Sequence, residues 1–484
     1  MIMIASLLPS TRAPARAGNR ARPRILAAVN AYRLDLAPLA LAAILLGYAV
    51  QINDGFYTPA ALACVIAAIV AVAASLSLDW TRDARLVPAL LLAGIASNLL
   101  LLATSHVGLY LPQPRPADHP FLIGLFIAAA ILVVQIARDR RRAWRVWFPL
   151  LLVTVAAMGV WMIKASPRPH IDVITVHQVA ISALRAGQNP YATSFPNIYR
   201  DAENYAPELV QGNQVLFGLP YPPLSLLMAV PGKIWFGDMR YAELISLILG
   251  AGFIGFASRT IVAPLAAALL LLTPRSLFVL EQGWTEPFAI CWLGATVFTA
   301  LRAPRLLPWM LALLVSVKQH LVLAVPFALL LLPRPFGWRA AVRLLLPSLL
   351  VPIALALPFV IWNPTAFFRS VVWVQLVEPF RPESLSVLRV LLDQGVPLDR
   401  DHALVAVLPL LALALSLATA WRRAPRTAAG FATGLGFALL LVTVTSKKAF
   451  CNYYFLVIAT FCAAIAAGSA EAPQPQTRDS NVTA

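Results

Sequence analysis

Runs of apolar residues, each close to the thickness of a bilayer, alternate along the chain with short gaps rich in Arg and Pro. A backbone exposed to lipid must close its own hydrogen bonds within one segment, so these runs predict helices. They fall near 36–52, 57–78, 86–104, 120–137, 146–164, 221–236, 240–257, 260–273, 284–301, 306–333, 340–362, 402–420, 427–444 and 450–467. Several are shorter than the roughly 20 residues of a spanning helix, and those at 260–273 and 306–333 read as broken or merged. The pattern predicts an all-α fold, a polytopic transmembrane helical bundle of about 12–14 helices with extracytoplasmic juxtamembrane helices. Two long polar stretches, 165–220 and 363–401, interrupt the rhythm.

Composition agrees with that reading. The chain is 60% hydrophobic and only 12% charged, against about 25% charged in soluble domains. A net charge of +17 raises nucleic acid as a partner, but the Arg residues sit in short clusters between apolar runs, as cytoplasmic loops do. Membrane lipids, not nucleic acid, are therefore expected around this chain. The clusters lie in the tail (Arg12, Arg16, Arg20, Arg22, Arg24), at Arg138 to Arg145, at Arg334 to Arg343 and at Arg422, Arg423 and Arg426. With all four on the cytoplasmic side, both polar stretches are extracytoplasmic. Arg302 and Arg305 break this rule if 306–333 is one helix. They obey it if 260–273 is re-entrant or 306–333 breaks at Lys318.

The expected organisation is a basic cytoplasmic tail (1–35) without a cleavable signal, an accessory four-helix transmembrane module (36–145), a core (146–467) carrying both polar loops, and a disordered tail (468–484). The four helices of 36–145 contain few polar residues and read as lying away from any site. Cys64, Cys291, Cys451 and Cys462 lack ligand spacing and read as small buried hydrophobes.

Candidate chemistry concentrates in the polar stretches. Asp172 opens a run, DVITVHQVAISALRAG, with Val173, Val176, Val179, Ala180 and Ala183 on one helical face. An Asp there is a favoured helix cap, and an ionised carboxylate is also a general base for a hydroxyl group. His177 follows, either on the helix surface or as a ligand for a phosphate or sugar hydroxyl. Asn189, Tyr191 and Tyr221 offer amphipathic side chains, and Pro222-Pro223 fixes the chain's return into lipid.

Further on, Glu286, Lys318 and Gln319 interrupt apolar runs, and intramembrane ionisable groups point to function. Snorkelling is the structural alternative for Lys318. In 363–401, aromatic residues alternate with Gln375, Glu378 and Arg381, as in an element lying in the outer interface. Arg381 suits a lipid phosphate, or else an ion pair with Glu378 or Glu383. Lys447 and Lys448 precede Asn452 and Tyr453 on the extracytoplasmic side, against the charge rule, which suggests an anionic ligand there.

These residues, in this order, resemble the C-superfamily of integral-membrane glycosyltransferases. The resemblance is greatest to the family 87 type, related to polyprenyl-phosphate-dependent mannosyltransferases. It rests on Asp172 with its helix, the Gly187-Gln188-Asn189-Pro190-Tyr191 turn, Tyr221-Pro222-Pro223-Leu224, Gln282-Gly283-x-x-Glu286 and Lys318-Gln319. Two departures stand out: the acidic loop follows the fifth span instead of the first, and Ile171-Asp172 replaces an acidic pair. The second departure leads us to expect no required metal, and no cofactor is expected; the resemblance implies a bacterial inner-membrane enzyme with an extracytoplasmic site. It would move a sugar with inversion from a polyprenyl-phosphate-linked donor to a glycan or glycolipid acceptor. Asp172 would be the base, and Lys447, Lys448, Arg381 and Lys318 would stabilise the departing phosphate. The competing readings are a lipid or solute transporter or flippase of the cell envelope, and a non-catalytic scaffold.

Overall fold

A computed structural model describes residues 34–77, 85–111, 118–138, 143–199, 204–398 and 402–471. Almost all of the basic tail, most of the Arg138–Arg145 cluster and most of the C-terminal tail lie outside the described residues. The helices are α1 (Leu36–Ile52), α2 (Pro59–Ser77), α3 (Leu86–Thr104), α4 (His119–Arg138), α5 (Trp144–Ala165), α6 (Asp172–Arg185), α7 (Pro223–Phe236) and α8 (Arg240–Ala257). They continue with α9 (Val262–Leu271), α10 (Ser276–Glu281), α11 (Glu286–Arg302), α12 (Leu307–Val317), α13 (Ala324–Ala328), α14 (Trp338–Trp362), α15 (Pro364–Phe368) and α16 (Val374–Val377). The last four are α17 (Val387–Asp393), α18 (Ala403–Arg423), α19 (Ala428–Thr445) and α20 (Cys451–Glu471). Among the described residues, eight helices are long and apolar enough to cross a membrane. The chain is an all-α, integral, multi-pass membrane protein.

Helices α19 and α20 form the centre and are buried almost all round, whereas α14 and α18 turn Leu349, Leu350, Ile353, Ile361, Leu410 and Leu415 outward, as lipid-facing helices do. The small strands β1 (Phe195–Pro196), β2 (Val210–Gln211) and β3 (Gln214–Val215) pair antiparallel in the order β1-β3-β2 and shape the loop after α6.

Side-chain contacts settle the course of the middle of the chain. Arg240, at the start of α8, is fully buried and donates to the carbonyls of Ser166 (2.8 Å) and Ile163 (3.3 Å) at the end of α5. So α8 begins on the side where α5 ends. The 14-residue α7 therefore starts and finishes on that same side, which corrects the expectation that 221–236 crosses the bilayer. Arg302 Nε donates to the Ala257 carbonyl (3.0 Å), so α11 ends where α8 ends. From there α12 runs inward and stops at Lys318, whose backbone is extended (φ −147°, ψ 145°). Short 3-10 turns and α13 carry the chain back to the starting side, where Arg426 Nη1 donates to the Leu329 carbonyl (3.0 Å). The 306–333 run is thus a broken pair of half-helices. Its break leaves Arg302, Arg305 and Arg426 on one side and the polar loops on the other, as the charge rule asks.

The two polar loops interlock. In 363–401 the chain passes through α15, a π-helical turn at Arg369–Trp373 and α16. Within that turn the buried Ser370 donates to the Tyr191 carbonyl (3.0 Å) and accepts from the Gly218 amide (3.0 Å). The Phe56 segment also joins this face. Tyr57 N donates to the Glu383 carbonyl (2.9 Å), and Leu385 N donates to that of Ala449 (2.8 Å). The first helices pack into the bundle, α1 against α20 and α3 against α9.

Candidate functional site

A cavity of about 610 Å³ opens among these loops. Its walls come from well-separated parts of the chain: Phe56; Leu109 and Tyr110; Asp172; Tyr199, Tyr205, Pro220 and Tyr221; Gln282 and Trp284; Lys318, Gln319 and His320; Gln375, Glu378 and Arg381; and Lys448, Asn452 and Tyr453. Every one of these groups lies on the polar-loop side.

Asp172 is the first residue of α6. The residue in the capping position is Ile171, and no side chain caps this helix, so the expectation that Asp172 is the cap is corrected. Its carboxylate turns instead toward the cavity wall, where Oδ2 accepts from the Tyr205 hydroxyl (2.8 Å). The Tyr199 hydroxyl accepts from the Asp172 amide at 3.3 Å. Burial first, and then the Asp172 charge, raise both phenols above the ordinary tyrosine range, so both remain hydrogen-bond donors. Helix α6 is held by its apolar face, with Val173, Val176, Ala180 and Ile181 buried. The carboxylate therefore sits on a rigid element in a position near the helix's positive end.

The cations come already paired. Lys318, at the break after α12, is buried and forms an ion pair with Glu286, the first residue of α11. Asn452 Nδ2 donates to the same Glu286 oxygen at 2.8 Å. The Lys318 ammonium also stands over the rings of Tyr221 (5.7 Å) and Tyr453 (5.9 Å), distances at which a cation is attracted to a ring face. Lys318 therefore does not snorkel. Arg381 Nε donates to Glu383 Oε1 (2.7 Å), and its guanidinium lies 5.5 Å from the Phe450 ring. Lys448 pairs with Glu378. Three of the four expected cations, Lys318, Arg381 and Lys448, gather at the cavity, each beside a carboxylate.

Of the residues singled out from sequence, Asp172, Tyr221, Lys318, Gln319, Gln375, Arg381, Lys448, Asn452 and Tyr453 line the cavity. Gln319 Nε2 also ties the broken helix to the loops, donating to the carbonyls of Pro220 (2.7 Å) and Val371 (3.2 Å). The other five do not line it, and each has a structural reason. His177 is buried behind Tyr221, with ring centres 5.1 Å apart, and its Nδ1 lies 2.7 Å from the Val173 carbonyl. Burial pushes the His177 imidazole down to about 4, so it is neutral. Asn189 Oδ1 accepts from the Tyr191 amide (2.9 Å) in a turn, and the buried Tyr191 donates its hydroxyl to the Tyr221 carbonyl (3.0 Å). Glu286 stands beneath the wall as the partner of Lys318. Lys447 Nζ donates to the carbonyls of Leu376 (3.0 Å) and Glu378 (2.7 Å), stapling the last loop to α16.

The sequence reading missed Tyr110, Tyr205, Trp284 and His320 as wall residues. Tyr205 had the signal of lying in the polar stretch with Asp172. Nothing in the sequence linked Tyr110 to the site, because it belongs to the helices read as accessory. Among the described residues, no three His, Cys, Asp or Glu side chains come together as a metal site would require.

No family model and no curated protein matches the chain. A solved structure titled ArnT from Cupriavidus metallidurans bound to undecaprenyl phosphate is similar, with a TM-score of 0.41 and 18% identity. The match covers 68% of this chain and 60% of that one, so it spans less than two-thirds of the length of that protein.

Proposed function

We propose that this protein is a membrane glycosyltransferase that moves a sugar from a polyprenyl-phosphate donor to an acceptor hydroxyl on the extracytoplasmic side, with inversion. One observation supports this above the others: a single cavity holds a carboxylate fixed by a tyrosine hydroxyl together with cations from three distant segments. A carboxylate and several cations facing one space suit a hydroxyl nucleophile and an anionic leaving group. In the reaction, Asp172 Oδ1 receives the acceptor's hydroxyl proton as that oxygen bonds to the anomeric carbon. The bond from the anomeric carbon to the phosphate oxygen breaks, and the polyprenyl phosphate leaves carrying the extra negative charge. Tyr205 holds Oδ2 and so fixes the rotamer of the base. Arg381 and Lys448 take the phosphate, trading part of their bonds to Glu383 and Glu378. Lys318, with its charge already balanced by Glu286, shapes the floor. The acceptor is a glycan or glycolipid, and the setting is a bacterial inner membrane.

The test is transfer itself. Purified protein in nanodiscs is offered a panel of radiolabelled polyprenyl-phosphate sugars and lipid-extract acceptors. Labelled glycan should form together with one equivalent of free polyprenyl phosphate. If no sugar is transferred, while vesicles containing the protein move labelled lipid or solute across the bilayer, the transporter reading replaces this one.

A further inference from the structure

Residues 105–111 reach the cavity from between α3 and α4, outside the segment that carries every other candidate group. Three observations fix them there. The buried Glu281, at the end of α10, accepts from the backbone amides of Leu109 (2.6 Å) and Tyr110 (2.9 Å). Gly108 leaves room for that carboxylate, since a Cβ there would lie 2.7 Å from Oε1 and 2.9 Å from Oε2. Arg275, fully buried beside α10, pairs with Asp54 (2.5 Å) and donates to the His106 carbonyl (3.2 Å), which fastens the start of the same segment. A carboxylate taking two backbone amides is a strong, charge-assisted clamp, and a connecting loop needs such a clamp to present a side chain in a fixed place.

What the clamp presents is Tyr110, which lines the cavity with Asp172. Burial, then the charges of Glu281 and Asp172, hold its phenol above the ordinary range, so it stays protonated. We propose that Tyr110 is a sugar-binding residue of the site, donating its hydroxyl to the transferred sugar in the cavity it shares with Asp172, and that Glu281 acts through it as a positioning residue. This rests on the glycosyltransferase reading and makes the N-terminal helices part of the catalytic unit. The wall around Tyr110 combines phenol groups with the aromatic and apolar faces of Phe56 and Leu109. Such a wall suits a sugar ring better than a bare phosphate.

The experiment uses the full chain in nanodiscs and whichever polyprenyl-phosphate sugar the wild type accepts. Tyr110→Phe keeps the ring and removes the donor. Its KM for the donor should rise about 5–20-fold, the size of one lost hydrogen bond, with kcat within about twofold. Glu281→Gln should raise the same KM at least as much, because its amide end now faces a backbone N–H. The double variant should be no worse than Glu281→Gln alone, since the two residues act in series. An unchanged KM in Tyr110→Phe overturns the proposal, and multiplying effects in the double variant overturn the positioning role of Glu281. Because Glu281→Gln could loosen the fold, thermal unfolding of each variant is measured alongside. Tyr110→Phe alone, at wild-type stability, decides the case. If the wild type transfers no sugar from any donor, the glycosyltransferase reading fails and the Tyr110 assignment falls with it. If the wild type transfers and only Tyr110→Phe is silent, the assignment fails alone.

Discussion

At the deep end of the cavity, the side chains of Lys318 and Glu286 are 6% and 0% exposed. At its mouth, those of Arg381 and Glu383 are 23% and 36% exposed, and those of Lys448 and Glu378 are 23% and 9% exposed. The chemical types match, but the consequences differ. A buried pair has lost its water, so removing one partner strands a charge. A partly hydrated pair loses little when it opens, and its cation can be shared with an incoming anion. The deep pair therefore belongs to the architecture, holding the break after α12 against the start of α11. On the proposed function, the mouth pairs are the ones that meet the phosphate.

Breaking the deep pair is the harshest way to test this contrast. Glu286→Ala or Lys318→Ala should destabilise the protein by about 3–5 kcal/mol, read as a lower unfolding temperature in detergent. Replacing both with apolar residues of similar size should recover most of that loss. If either single variant is as stable as the wild type, the deep pair is not architectural.

A second probe of the buried side of this wall is pH. Burial lowers the His177 imidazole to about 4, below its unfolded value near 6.5. Between those values the unfolded chain binds the proton and the folded chain does not. Stability is therefore full above about pH 6.5 and falls as the pH drops toward 4, by roughly 3 kcal/mol from this group. His177→Gln should flatten that part of a stability–pH curve. An identical curve would show that the imidazole is not neutralised by burial.

At the mouth the expected signs reverse. Arg381→Gln and Lys448→Gln should each change stability by less than about 1 kcal/mol. Each should lower transfer about 10–100-fold and make it more sensitive to salt. Loss of stability without loss of transfer would erase the distinction between the two ends. The smallest effect is expected for Tyr205→Phe, which removes one hydrogen bond to Asp172 and should slow transfer about tenfold while sparing donor binding.

How far the sequence foretold this arrangement depends on the kind of signal each part carries. Apolar periodicity marks where helices begin and end, and α1, α3 and α8 match their predicted spans residue for residue. Hydropathy cannot tell a crossing helix from one that stays at the surface, and for α7 the distinction comes only from Arg240, which ties the start of α8 to the end of α5. The Arg302-Arg305 cluster called for either a re-entrant 260–273 or a break at Lys318, and the contacts of Arg302 and Arg426 decide for the break. The groups around Asp172 were partly legible as polar residues in oily surroundings. Asn189, Tyr191 and Lys447 carry the same signal yet serve the backbone, and sequence cannot separate a side chain that meets a ligand from one that meets a carbonyl. Tyr110 was invisible because its role depends on Glu281, 171 positions away.

The central claim is that Asp172 is the base. The direct measurement is single-turnover transfer by Asp172→Asn in nanodiscs, with donor binding measured on the same sample. The account predicts transfer at least about 1,000-fold slower, with donor affinity within a few-fold of the wild type. Transfer by Asp172→Asn at a rate close to the wild type would contradict it.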